Sequence, residues 1–228
     1  MTIEELLLRQ KPRRKVEGIA AALLPYELDG RIAVDALARN LISTHKAGLM
    51  NAVNMDTGYV NYLTDVEKSQ ILRWTREALG SGVPFVAGAY IENQPDDDIV
   101  RLYRDEIEKI VHLGGIPIIF QTARLHGASP EKIAQIYRDT VHGYPHVLAF
   151  ELGPMFAPNG EIYELETIRR LMEIPELKGM KHSSLNRLIE LERLVLRNET
   201  QIAASEYARG DDVVLAGLEC MIGQSSGR

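Results

Sequence analysis

The sequence predicts an α/β fold of the (β/α)8 TIM-barrel class. Three observations carry that prediction. Apolar runs of strand length alternate with helical patterns of period 3.6 from Val16 onward, at a repeat of about thirty residues. The strands are apolar on both faces, as parallel strands covered by helices must be. The loop after the first strand is Pro25-Tyr26-Glu27-Leu28-Asp29-Gly30, acidic and with one glycine. A doubly wound open sheet, the rival arrangement, would carry a Gly-rich phosphate loop there.

Each unit reads as a strand, a polar or Gly/Pro-containing loop, and a helix. The strand Val16–Leu24 precedes the helix Ile32–Lys46, and Asn51–Met55 precedes Asp65–Leu79. Pro84–Ile91 leads to Pro95–Leu113, and Pro117–Thr122 to Pro130–His142. His146–Leu152 leads to Glu164–Glu173, and Leu177–His182 to Leu185–Arg197. A seventh strand, Gln201–Ser205, is followed by a short helix Asp211–Leu218, and an eighth strand spans Cys220–Gly223. Thr64-Asp65-Val66-Glu67 is a capping-box pattern, and Ser129-Pro130-Glu131 puts proline in a first helical turn. Gly48, Gly80, Gly114 and Gly143 stand where helices should stop.

Residues 1–15 read as an N-terminal arm: a short helix Ile3–Arg9, then a basic linker broken by Pro12. The barrel domain is expected over 16–228. No eighth helix or C-terminal helical region follows strand eight. The chain is then a fragment, or another subunit covers the gap, or that face is frayed; a homo-oligomer is the expectation.

Composition narrows the function classes. The 228 residues are 45% hydrophobic and 25% charged, with a formal net charge of −6. That balance, without a basic stripe, argues against nucleic acid and anionic membrane surfaces as partners. The only basic cluster, Arg9 to Lys15, reads as a solvated arm. A single cysteine, Cys220, rules out an intramolecular disulfide and fits a reducing compartment. Met1–Leu8 is too short and too acidic for a signal peptide, and no apolar run reaches membrane-span length. The cytoplasm is the expected location.

In a barrel the C-terminal strand ends converge on one pocket. Here they supply Asn54, Asp56-Thr57-Gly58, Gln121, Glu151, Lys181-His182 and Ser205-Glu206. The centre of this set is one lysine among hydroxyl, amide and carboxylate groups. Burial disfavours the charged form of such a lysine, and a neutral amine attacks carbonyl carbon. Lys181 is therefore the expected Schiff-base nucleophile; the bland alternative is a lysine that caps the strand and meets solvent. Asp56, Glu92, Glu151, Glu206 and His182 could hold Mg²⁺, although solvated loop carboxylates are the commoner explanation of such residues. His182 could tune Lys181, but adjacent strand residues point to opposite faces, so only one should line the interior.

These residues resemble the dihydrodipicolinate synthase and N-acetylneuraminate lyase family of class I aldolases. The opening Gly18–Asp35 is similar to the family's first strand and loop, with Pro25-Tyr26 and Asp29-Gly30. Asp56-Thr57-Gly58 stands where the family has Gly-Thr-Thr-Gly-Glu, with Leu63 matching a following leucine. Val83 to Gly88 matches the family's third strand. Leu177-Lys178-Gly179-Met180-Lys181-His182-Ser183-Ser184 resembles the segment that holds the Schiff-base lysine. The order and spacing are kept over residues 16–224.

The resemblance implies a lyase, aldolase or hydro-lyase that acts on a keto acid or related carbonyl compound through Lys181, with no cofactor. Thr57 would hydrogen-bond substrate, and Asp56 and Glu151 would be acid/base candidates. Asp56, Gly58, Asn54, Gln121 and Ser205 would line the substrate site. This chain also departs from the family. Phe150-Glu151 replaces a tyrosine and an asparagine, Phe120-Gln121-Thr122-Ala123 replaces a tyrosine-bearing segment, and Asp56 and Tyr59 replace a threonine and a glutamate. A carboxylate at 56 would repel a substrate carboxylate, so a substrate other than pyruvate, or one bound by its carboxylate elsewhere, is expected. Two alternatives stay open: a paralogue that binds a small molecule without turnover, and a metal-dependent lyase.

Overall fold

The computed structural model describes residues 18–95, 98–157, 160–184, 186–199, 213–216 and 219–223. The chain divides into two compact units at Phe120/Gln121.

The first unit carries β1 (Ile19–Ala21), α1 (Val34–Lys46), β2 (Met50–Val53), α2 (Asp65–Leu79), β3 (Phe85–Ala89), α3 (Ile99–His112) and β4 (Ile116–Ile119). Its strands are all parallel and pair in chain order, with Ala20 beside Asn51, Ala52 beside Val86 and Ala87 beside Pro117. α3 buries Leu102, Tyr103, Glu106, Ile107 and Ile110. That spacing is one face of a 3.6-residue helix laid against the sheet. The α2 capping box is formed: Thr64 Oγ1 accepts from the Glu67 N–H at 3.2 Å, and Glu67 accepts from the Thr64 N–H at 2.8 Å. The helix therefore starts at Asp65, as the sequence pattern requires.

The second unit carries α4 (Pro130–Val141), β5 (Val147–Leu152), α5 (Leu165–Met172), β6 (Leu177–Ser183), α6 (Arg187–Glu199), β7 (Val213–Ala216) and β8 (Glu219–Gly223). β5 and β6 are parallel. β8 runs antiparallel to β6, and β7 antiparallel to β8.

Two sequence expectations are corrected here. The stretch Asp211–Leu218, expected as a short helix, holds the strand β7. Val213-Val214-Leu215-Ala216 is a short apolar run in which two β-branched residues favour the extended form, and its length is too small for helical periodicity to decide. The strand at Cys220–Gly223 exists, extended to Glu219, but it is not parallel to its neighbours. Only two residues separate β7 from β8, and a connection that short can only make an antiparallel hairpin. The expected arm 1–15, the strand Gln201–Ser205 and the residues Ser205 and Glu206 lie outside the described residues.

Candidate active site

The geometry of the site is set by the pairing of β5 with β6. Phe150 stands beside Lys181, Glu151 beside His182, and Leu152 beside Ser183. Side chains alternate along each strand, and register partners in parallel strands share a face. Ala149, Glu151, Met180 and His182 belong to the face covered by α5 and α6: Ala149 and Met180 line one small cavity with Ile168, Leu171 and Met172, and Glu151 is bonded to Arg193. Phe150 and Lys181 belong to the other face.

On that other face the Lys181 Nζ lies 4.3 Å from the centre of the Phe150 ring. Lys181 is 8% exposed and Phe150 1%. A lysine nitrogen over an aromatic face is attracted by the ring quadrupole, by about 2 kcal/mol where water is excluded. Ser183, two residues along β6, shares this face and is also buried.

The helix-covered face holds a polar cluster. Both Glu151 oxygens are engaged. Arg193 donates from Nη2 to Oε1 at 2.6 Å and from Nε to Oε2 at 2.8 Å. His182 Nδ1 lies 2.5 Å from Oε2, and the Tyr163 N–H donates to Oε1 at 2.7 Å. A carboxylate only accepts, so Nδ1 carries a proton in this pair, and His182 Nε2 then faces Ser184 Oγ at 3.1 Å. Burial works to raise the Glu151 carboxyl. The hydrogen bonds and charges of Arg193 and His182 outweigh it and hold the group below the usual carboxylate range. Glu151, His182 and Arg193 are each at most 1% exposed.

This arrangement removes Glu151 from the acid/base role expected of it. It sits across the sheet from the lysine, and its lone pairs are committed to donors. Strand alternation forces the result: the residue paired with His182 must share the face of His182, not that of Lys181.

The same cluster ties down the β5–α5 connection. Arg193 Nη2 also donates to the Tyr163 carbonyl at 2.5 Å. Gln121 Nε2 donates to the Glu161 carbonyl at 2.7 Å, while its Oε1 accepts from the Leu152 N–H at 2.9 Å. The Gln121 amide is therefore a strap on the chain. Tyr163 is buried beside it. Burial pushes its phenol up to about 12, against the lowering effect of hydrogen bonds with Tyr137 and Gln121.

The remaining expected site residues belong to the first unit. Asp56-Thr57-Gly58 forms a 3-10 turn after β2, with Asp56 half-buried, Thr57 exposed and Gly58 buried. Asn54 adopts a left-handed backbone, φ 52°, and its Nδ2 donates to the Lys68 carbonyl at 3.1 Å. That amide fastens β2 to α2 and so has a structural use. Its backbone carbonyl is in contact with any Cβ placed on Gly88, as is the Phe120 ring, which explains the glycine inside β3.

Arg193 and Tyr163 escaped the sequence reading. Arg193 lies between Glu190 and Leu196 on the buried side of α6, a mixed stripe that no apolar pattern in the sequence marks as inward-facing. Among the described residues, no group of three or more His, Cys, Asp or Glu side chains is placed to hold a metal ion. Among them, too, no helix is long and apolar enough to cross a membrane.

No family model and no curated protein matches the sequence. Solved structures do match in fold. The chain is similar to the dihydrodipicolinate synthase of Thermotoga maritima, with a TM-score of 0.64 at 14% identity, over 90% of this chain and 64% of that one. It is similar to a dihydrodipicolinate synthase of Bacillus anthracis, with a TM-score of 0.63 at 19% identity, over 80% of this chain and 60% of that one. It is also similar to the N-acetylneuraminate lyase of Mycoplasma synoviae, with a TM-score of 0.60 at 13% identity, over 78% of this chain and 58% of that one. The chain spans less than two thirds of the length of each. The likeness shows the fold: an α/β fold of the TIM-barrel class, as the alternation of strands and helices predicts.

Proposed function

We propose that the protein is a lyase of the class I aldolase type, in which Lys181 forms an imine with a keto acid or related carbonyl compound. The observation that carries the reading is the placement of Lys181. It is a nearly buried amine on the face of β6 turned away from the helices, with its nitrogen over an aromatic ring. The fold likeness to dihydrodipicolinate synthases and an N-acetylneuraminate lyase supports it.

In this reading the amine adds to the carbonyl carbon, and loss of water leaves a C=N bond to Nζ. Protonated, that bond carries a positive charge and draws electrons from the neighbouring carbon–carbon bond. The Phe150 face beside Nζ would stabilise the iminium charge, by about 0.5–2 kcal/mol. Glu151 has no part in proton transfer. Ser183, on the same face as Lys181, is the candidate hydroxyl that replaces it. From the sequence resemblance, Thr57 with Asp56 and Gly58 is taken to bind substrate, no cofactor is required, and the active form is a homo-oligomer. The test is turnover of a keto-acid panel by the wild type and by Lys181→Met: carbon–carbon cleavage or condensation in the first and none in the second.

A second reading is binding of a carbonyl compound without turnover. Phe150 favours it, because a phenyl ring beside the amine supplies no proton. Saturable binding with no product over the same panel would establish it.

A further inference from the structure

We propose that His182 is a positioning residue: its hydrogen bond to Glu151 across the strands locks the β5–β6 register that turns Lys181 away from the helices. The importance of the lock for catalysis rests on the imine reading; the lock itself does not.

The register of these strands is not uniform. Val147 pairs with Leu177, but Leu148 pairs with Gly179, so β6 carries one extra residue at Lys178. An extra residue of this kind shifts the alternation of everything beyond it. Were the irregularity to move up the strand past Lys181, the lysine would face α5 and α6, and His182 would face Phe150. A slip of one residue flips every side chain, so something must specify the observed pairing. Backbone hydrogen bonds between β5 and β6 alone do not, because a parallel ladder forms in either register.

The side chains do. Glu151 and His182 are register partners joined at 2.5 Å, one residue along from the pair Phe150 and Lys181. Glu151 is itself fixed by two bonds from Arg193 on α6 and one from the Tyr163 N–H. A slipped strand would bring a lysine against Arg193 and leave the His182 bond unmade on a buried face. Buried polar groups are best attested in this role, as devices that select one register over another. The fold thus uses one face of β6 to aim a residue on the other.

The experiment reads the register without the amine. Phe150→Cys and Lys181→Cys are introduced together in a Cys220→Ser background. Partner positions on adjacent strands are about 4.8 Å apart, within disulfide reach, and the two thiols meet only when they share a face. Under mild oxidation the parent should cross-link, and adding His182→Gln, which can still donate to Glu151, should preserve the yield. Adding His182→Leu should lower it about tenfold while far-UV circular dichroism stays native. If the leucine variant unfolds, His182→Ala takes its place in the comparison. Cross-linking at parental yield in the apolar variant overturns the proposal, and so does a parent that fails to cross-link. In the lysine-bearing protein, keto-acid trapping should fall in His182→Leu and be rescued in His182→Gln. A chain that never traps a keto acid yet cross-links as described refutes the imine reading and leaves the lock standing.

Discussion

The nitrogen of Lys181 lies 4.3 Å from the centre of the Phe150 ring, and the two residues are register partners on adjacent parallel strands. Amine and ring are therefore held together by backbone pairing, not by a flexible loop. Replacing Lys181 by methionine, similar in length and apolar, removes the nitrogen that the ring attracts. The melting temperature should fall by a few degrees, for the loss of about 0.5–2 kcal/mol of that attraction, while imine formation falls to background. Differential scanning calorimetry beside an activity assay checks both halves.

Glu151 should be the most costly carboxylate of the second unit to remove. Glu151→Ala strands the Arg193 guanidinium in a site that is 1% exposed. Breaking a buried pair on one side costs about 3–5 kcal/mol. Urea unfolding should show that loss, and the double change Glu151→Leu with Arg193→Met should cost less than Glu151→Ala alone.

Acid should attack the same group. The Glu151 carboxyl sits below its ordinary value of 4.5 in the folded protein, so its stabilising effect is complete above that value. It is lost as pH falls through the lower folded value, because the unfolded chain takes up the proton first. Stability measured from pH 7 to pH 2 should drop on the acid side, and Glu151→Gln should flatten that drop.

Tyr163 makes the opposite prediction at alkaline pH. Burial raises its phenol from 10.0 to about 12. The folded state then holds a proton that the unfolded state releases, so stability is full below pH 10 and declines as pH rises towards 12. Ultraviolet titration should find a late-ionising tyrosine that is lost in Tyr163→Phe.

Gly88 tests the packing of the first unit. A methyl there would meet the Asn54 carbonyl oxygen and the Phe120 ring. Gly88→Ala should destabilise the protein by about 1–3 kcal/mol, read from the shift in denaturant midpoint.

The fold was legible because its signals are local. The strand apolarity of Phe85–Ala89, the Thr64 capping box and the proline opening α4 each act within a few residues, and each element appears where they place it. The register was legible only in part. Alternation warned that Lys181 and His182 could not share a face, but not that Glu151 would follow His182. That depends on a pairing set by an extra residue at Lys178, which no local pattern announces. The structural bonds of Gln121 and Asn54 were hidden from the sequence for a related reason. A polar residue at a strand end serves a ligand or a neighbouring backbone group equally well, and the nearby carbonyls and N–H groups of Glu161, Leu152 and Lys68 are known only once the chain has folded. At 211–218 the run was too short for its period to be read.

Attack of the Lys181 amine on carbonyl carbon is the step on which the proposed function rests. Borohydride reduction in the presence of a keto-acid panel, followed by peptide mass spectrometry, measures it directly. A reduced adduct on Lys181 is expected with at least one member of the panel, and none in Lys181→Met. An adduct confined to other lysines, or no adduct with any carbonyl compound, would contradict it.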